Sequence, residues 1–306
     1  MKGRILKILR AENNVVSGEI LSVRLGVSRV SIWKHVKKLK ELGYRIDSTA
    51  KGYRLISDPD ALFPWEFEQR ESKIHYFEQV DSTMEIARNL ARKGCPEFTV
   101  VIAGQQAKGR GRLQRTWLSS PGGLYFTMVL RPPIPPFLST RISFAAAMIL
   151  ARTLRRLFDI EAMVKWPNDI LVADKKLAGM LSEMEAEADM VAFINIGLGI
   201  NVNNDPTPGE PLASSLKLIL GREISRRSLL AEFLDELENY LMHAALDDVV
   251  SEWKQYTVTL NRHVKIVTTQ EVVEGFAVDV DENGALLLEL ADGSIRRIIY
   301  GDCFHQ

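Results

Sequence analysis

The stretch Gly109–Trp117, GRGRLQRTW, lies between two apolar runs, Phe98–Ala103 before it and Leu124–Leu130 after it. Arg110, Arg112 and Arg115 cannot bury themselves, because each guanidinium stays charged and carries five donors. Gly109 and Gly111 let the backbone turn and come close to a ligand. A strand, an arginine loop and a second strand are therefore expected, with the loop forming a site for something anionic. The rest of the chain can be read as what surrounds and supplies that loop.

At 306 residues the chain has room for more than one core, with roughly two or three domains expected. It is 46% apolar and 25% charged, which excludes a disordered or low-complexity chain. No apolar run approaches the ~20 residues that span a bilayer. The charged start MKGRILKILRAE lacks the apolar stretch of a signal peptide, so no membrane partner is expected. Cys95 and Cys303 are far apart and belong to no CxxC or Cys/His spacing. No disulfide framework and no protein metal site is expected, and a reducing cytoplasm fits.

The net charge of zero hides an asymmetry. Residues 1–57 hold 13 Lys+Arg against 4 Asp+Glu, a net of +9, and the remaining 26 against 35 give −9. A basic domain on an acidic body points to nucleic acid at one end only. The periodicity agrees. Arg4–Arg10 reads as a short helix. Ser17 caps a second, Gly18–Leu25, with Ile20, Leu21, Val23 and Leu25 inward and Gly26 as its stop. Ser28 caps a third, Arg29–Leu42, with Ile32, Val36 and Leu39 on one face and Arg29, Ser31, Lys34, Lys37, Lys38 and Lys40 on the other. Tyr44–Asp47 and Tyr53–Ile56 flank the turn STAKG like the hairpin of a winged helix-turn-helix. Ser28, Arg29, Ser31, Lys34 and Lys51 are the expected DNA contacts.

Ser57–Pro64 reads as a linker. Beyond it, strands are expected at Lys73–Val80, Phe98–Ala103, Leu124–Leu130, Ala162–Lys165, Ile170–Ala173, Leu177–Glu183 and Val191–Ile200. Asp81-Ser82-Thr83 should cap the helix Met84–Lys93, and Ser143–Phe158 should be a buried helix. Strands and helices without strict alternation argue for an α+β fold. Four clusters here can carry chemistry. Ser82-Thr83 offers hydroxyls at a helix start, although alone it is an ordinary N-cap. The arginine loop is the second. Val164–Asp169 (VKWPND), followed by Lys176, is the third. Asn195–Asn204 (NIGLGINVNN) combines glycines with closely spaced amides. No GxxxxGK[ST], GxSxG or HExxH occurs, so neither a P-loop nor nucleophilic or zinc hydrolysis is supported. At the other end, Ser228–Leu246 and Val249–Tyr256 read as helices. His263–Thr268, Val272–Val280, Ala285–Leu290 and Ile295–Tyr300 read as short strands of a small SH3-like barrel.

In chain order, SerThr after a strand, GRGRxxRxW, KWPND, KKLAG and IGLGINVN resemble the biotin–protein ligases. Because a winged helix precedes them, the chain is similar to the bifunctional biotin ligase/biotin-operon repressors over its whole length. The resemblance implies a multidomain α+β chain. It would have a winged helix-turn-helix over 1–57, a class II synthetase-like ligase domain over 66–258 and the SH3-like domain over 259–306. It implies biotin contacts at Ser82, Thr83, Gln106, Arg110, Gly111, Arg112 and Lys176, and the nucleotide near Arg115, Trp117, Asn168, Asp169 and Asn201. Lys176 and Arg110 would screen the reacting anions, and Asp169 would accept a proton. ATP, biotin and Mg²⁺ are the implied reactants and cofactor, a biotin carboxyl carrier protein the substrate, and a ligand-promoted homodimer the DNA-binding species. Met84 stands where the family often has an amide, and Leu113-Gln114 where many members have glycine. A biotin sensor without ligase activity and a lipoate-type ligase are the alternatives.

Overall fold

The structure, a computed structural model, describes residues 1–305, with the side chain of Gln114 outside the described residues. The chain forms two compact units, Met1–Ser72 and Lys73–Gln306.

In the first unit α1 (Lys2–Glu12) extends beyond the expected Arg4–Arg10 at both ends. α2 (Gly18–Leu25) is capped by Ser17, whose Oγ accepts from Ile20 N at 3.1 Å, and Gly26 ends it at φ 67°. Of its four apolar residues only Leu21 and Leu25 are buried; Ile20 and Val23 are 45% and 73% exposed, against expectation. A helix this short presents a single i, i+4 pair to the core. α3 (Arg29–Glu41) is capped by Ser28, which accepts from Ser31 N at 3.2 Å, and it buries Ile32, Val36 and Leu39 as its period requires. β1 (Arg45–Thr49) and β2 (Gly52–Ser57) pair antiparallel as the wing. Gly52 sits at φ 140°, and a Cβ there would lie 2.2 Å from Val16 O, because Val16 and Tyr53 exchange backbone hydrogen bonds. Only glycine fits that approach.

The stretch read as a linker is part of this unit. Arg10 pairs with both Asp58 and Glu66 at 2.9 Å. Glu66 also accepts from Tyr44 Oη at 2.5 Å, Trp65 Nε1 donates to the same hydroxyl, and Lys7 pairs with Glu68. Proline and aspartate marked a break in periodicity, but these carboxylates answer basic residues of α1.

The second unit begins with β3 (Ile74–Val80), α4 (Thr83–Arg92), β4 (Thr99–Gln106) and β5 (Leu124–Leu130). It continues through α5 (Ser139–Phe158), β6 (Ala162–Lys165), β7 (Asp169–Val172), β8 (Lys175–Glu187) and β9 (Met190–Ile200). α6 (Leu216–Leu220), α7 (Arg226–His243) and α8 (Val249–Lys254) follow. The seven strands are ordered β3-β4-β5-β9-β8-β7-β6. β3 runs parallel to β4 and every other neighbour is antiparallel, as an α+β fold requires. Alternation sets the two faces. Val129 and Phe193 pack with Ala87 and Ala91 of α4, whereas Phe126 meets Phe233 of α7. α5, with the turn before it, is the one helix among the described residues long and apolar enough to cross a membrane, and two thirds of it is buried. It packs on β6–β9, α7 and α8, which makes it a core helix.

The final strands are β10 (His263–Val267), β11 (Val272–Val280), β12 (Leu286–Glu289), β13 (Ile295–Ile298) and β14 (Asp302–His305). They form an antiparallel sheet of order β13-β12-β11-β10-β14. β14, not foreseen, pairs with β10, and among the described residues no pairing of β13 with β14 closes the sheet. This sheet buttresses the KWPND turn. Trp166 N donates to Thr259 Oγ1 at 2.9 Å and Trp166 Nε1 to Gly284 O at 3.0 Å.

Candidate active site

A cavity of about 250 Å³ opens on the α4 face of the large sheet. Ser82, Thr83, Gln106, Arg110, Gly111, Arg112, Arg115, Trp117, Asn168, Asp169, Lys176 and Asn201 all line it. Every residue expected to touch biotin or nucleotide is thus brought to one place, from segments up to 119 positions apart.

One wall is made of hydroxyls and an amide. The side-chain cap expected at Asp81-Ser82-Thr83 is not made. Instead Gln106 Oε1 accepts from Thr83 N at 2.9 Å and from Thr83 Oγ1 at 3.1 Å, while its Nε2 donates to Ser119 Oγ at 3.0 Å. Thr127 Oγ1 donates to Thr83 Oγ1 at 2.8 Å. Thr83 and Gln106 are therefore committed to one another and rigidly oriented. Ser82 is 2% exposed and its Oγ has no protein partner, which leaves a buried donor and acceptor for a ligand group. Met84 sits alongside with its Sδ over Gly197, where a Cβ would come within 2.7 Å. A thioether, not an amide, forms that end of the wall.

The arginine loop is a small hairpin. Trp117 N donates to Gly109 O at 2.9 Å, Gly111 N to Arg115 O at 2.8 Å, and Arg115 N to Arg112 O at 3.0 Å. A Cβ on Gly109 would lie 2.3 Å from Trp117 O, so glycine permits this closure. Leu113 occupies the left-handed region at φ 49°, ψ 38°. That conformation costs an L-residue roughly 1–2 kcal/mol and glycine nothing, so the departure from a glycine-rich loop falls where it matters to the backbone.

Each cation of the opposite wall has a protein acceptor. Arg110 Nη2 donates to Glu183 Oε1 at 2.6 Å, and Glu183 also pairs with Arg88 of α4. Arg112 Nη1 donates to Asn168 Oδ1 at 3.2 Å. Arg115 Nη2 lies 2.5 Å from Asp302 Oδ2, a close ion pair off hydrogen-bond geometry. Lys176 Nζ is 2.8 Å from Asp169 Oδ1. Burial pulls the Arg112 guanidinium below its ordinary value, opposed by the nearby charges of Asp302 and Asp169.

The floor is bare backbone. Gly179 of β8 and Gly199 of β9 are register partners, and Trp117 lies across them. A Cβ on Gly199 would be 2.3 Å from the Trp117 ring, and one on Gly179 2.8 Å from it. Trp117 Nε1 is buried without a partner, and Lys176 Nζ stands 5.5 Å from the ring centroid. The asparagines are less free than their spacing suggested. Asn201 Oδ1 accepts from Asn204 Nδ2 at 2.9 Å, and Asn203 is bonded on both sides to the Ile224 backbone.

Sequence reasoning missed Glu183, Thr127 and the lining from β14, namely Asp302, Cys303 and Phe304. Only Thr127 left a signal, a hydroxyl inside the apolar run LYFTMVL. Cys303 is buried, and burial pushes its thiol up to about 12, which disfavours the reactive thiolate. The expected DNA contacts all lie in the first unit: Ser28 and Ser31 share the α3 cap, Arg29 and Lys34 are exposed on α3, and Lys51 is in the wing turn.

A cationic wall, a hydroxyl–amide wall and a glycine floor define a site for an anionic ligand with a polar headgroup, on a chain that also carries a winged helix-turn-helix. Residues 76–201 match the Biotin/lipoate A/B protein ligase family, 3–54 the HTH domain, and 259–306 the Biotin protein ligase C terminal domain. The bifunctional ligase/repressor BirA of Bacillus subtilis is 34% identical, over 96% of this chain and 94% of its own. The bifunctional ligase/repressor BirA of Escherichia coli is 31% identical over the same shares. A biotin protein ligase of Aquifex aeolicus, solved with biotin and ATP, aligns with a TM-score of 0.64 at 28% identity, over 76% of this chain and 98% of its own. The chain belongs to the bifunctional ligase/repressor family of biotin protein ligases.

Proposed function

We propose that this chain is an ATP-dependent biotin–protein ligase and a biotin-responsive repressor. One observation carries the ligase reading: Ser82, Arg110, Arg112, Arg115 and Lys176 converge on a single cavity floored by Gly179 and Gly199. A biotin carboxylate oxygen attacks the α-phosphorus of ATP, a carbonyl–O–P bond forms, and pyrophosphate leaves. Two anions must meet, so cations have to screen them and stabilise the developing charge. Lys176 and Arg110 take that role, with Arg112 and Arg115 on phosphates and Trp117, Asn168 and Asn201 beside the nucleotide. Thr83, Gln106 and Gly111 shape the biotin pocket, in which Ser82 offers the free hydroxyl. The biotinyl group then passes to the ε-amine of a carrier-protein lysine, an amide forms and AMP leaves. Asp169, the carboxylate paired with Lys176, is assigned the amine's proton.

Mg²⁺ is read as travelling with the triphosphate. Among the described residues no group of three Asp, Glu, His or Cys is arranged for a metal, and Asp169 and Asp302 are each paired with a cation.

The functional division is 1–57, 66–258 and 259–306, although residues 66–72 pack within the first compact unit. A class II synthetase-like central sheet and an SH3-like final sheet are read into it, the latter supported by five short antiparallel strands. A reducing cytoplasm is supported by the two free cysteines, and a ligand-promoted homodimer on operator DNA by the helix-turn-helix.

Transfer of labelled biotin from ATP and biotin to a carrier domain tests the ligase reading. No transfer, with DNA binding intact, would leave a pure sensor. Preferential use of lipoate in competition would favour a lipoate-type ligase.

A further inference from the structure

The outward face of α3 is not uniformly polar. Val30 is 62% exposed and Trp33 53% exposed, while Ile32, Val36 and Leu39 fill the core behind them. At about 100° per residue, the exposed side chains of the first two turns run around the helix in the order Arg29, Trp33, Val30, Lys34. Two apolar side chains stand side by side with a cation on each flank. Further along, Lys37 Nζ lies 5.7 Å from the Trp33 ring centroid. Val30 and Trp33 together make a contiguous exposed apolar patch rimmed by cations, the kind of surface that marks an interaction site.

Charge says which partner. Of the five carboxylates of residues 58–72, Asp58, Glu66 and Glu68 pair with Arg10 and Lys7 of α1. On α3, Lys34 and Lys37 have no carboxylate partner among the described residues, and Arg29 lies a loose 3.8 Å from Glu19. The surface offered is basic at its rims and apolar at its centre. A DNA major groove is its complement, with phosphates along the rims and, on its floor, the C5-methyl of thymine as the apolar group that base edges present.

We infer that Val30 and Trp33 read thymine methyl groups, so that each half-site carries thymine opposite the first two turns of α3. This rests on the DNA-binding reading and adds the base class that it selects.

The test begins with duplexes selected from a random pool by the full chain in the presence of biotin and ATP. Each thymine of the selected half-site is then replaced, one at a time, by 2′-deoxyuridine, which lacks only the methyl. At one or two positions the replacement should weaken binding about fourfold, the value of one buried carbon. Trp33→Ala should remove that difference, and Trp33→Leu should keep part of it, with thermal melting confirming that both variants fold. Equal affinity for thymine and uracil at every position would overturn the inference and leave DNA binding standing. So would a half-site without thymine, or a Trp33→Ala variant that weakens both duplexes alike. Failure to enrich any sequence would overturn the DNA-binding reading and the inference with it.

Discussion

Lys176 and Asp169 face each other at 2.8 Å, the carboxylate at the first residue of β7 and the ammonium near the start of β8. Their pairing puts the cation at the cavity edge without tying it to the core, since about a third of the Lys176 side chain is exposed. Lys176→Ala should therefore lose adenylate formation on the order of 10²–10³-fold, the usual scale for removing a group that stabilises developing charge. An ion pair this exposed contributes only ~1 kcal/mol or less to folding, so melting should barely move. ATP–pyrophosphate exchange beside a thermal melt checks both, and unchanged exchange would remove Lys176 from the reaction.

Ser82 and Thr83 should behave oppositely although they are neighbours. Ser82→Ala deletes a buried hydroxyl with no protein partner, so stability should hold or rise by ~1 kcal/mol while biotin affinity falls about tenfold. Thr83→Val breaks the bonds to Gln106 and Thr127 and should cost roughly 1–3 kcal/mol. Calorimetry with biotin and chemical denaturation together separate the two.

Gly199→Ala should expel the Trp117 ring. The added Cβ would meet it at 2.3 Å, and overpacking of this kind costs about 1–3 kcal/mol unless the ring swings away. The expected result is a stable protein with red-shifted Trp117 emission, read against a Trp117→Phe background, and weaker nucleotide binding. Emission and affinity like those of the parent would contradict the stacking described.

Burial, helped by Lys165 and Arg262, holds His305 down to about 4, whereas the ordinary value is 6.5. The folded protein then binds fewer protons than the unfolded chain between those values. Stability contributed by neutral His305 is complete above pH 6.5 and is lost as pH falls towards 4. With its partial exposure discounted, the loss should be roughly 1–2 kcal/mol. Melting from pH 7 to 4.5 should fall less steeply in His305→Gln, and parallel curves would exclude the residue.

Local rules were legible where a single residue decides them. Ser17, Ser28 and Gly26 act as read, and the Ile32, Val36, Leu39 stripe is buried because an i, i+4, i+7 period leaves one way to pack. The arginine loop was legible because its guanidinium charges demand acceptors and its glycines permit the tight turn between two strands. Glu183 and Asp302 were not, because their meaning comes from partners 73 and 187 positions away, Arg110 and Arg115. The linker reading of Ser57–Pro64 failed for the same reason, as did the carboxylates just beyond it. These carboxylates look solvated until Arg10 and Lys7 stand beside them.

Arg110, Arg112, Arg115 and Lys176 each rest on an acceptor of the protein's own. An anion that binds there must replace an acceptor or share its cation, so binding is a substitution and its free energy a difference between two sets of partners. That sets a threshold for admission. On the proposed function, a neutral or weakly accepting molecule would have nothing to exchange with Glu183 or Asp302, whereas a polyphosphate would exchange with both. Selectivity for highly charged ligands would then reside as much in the acceptors as in the arginines they hold.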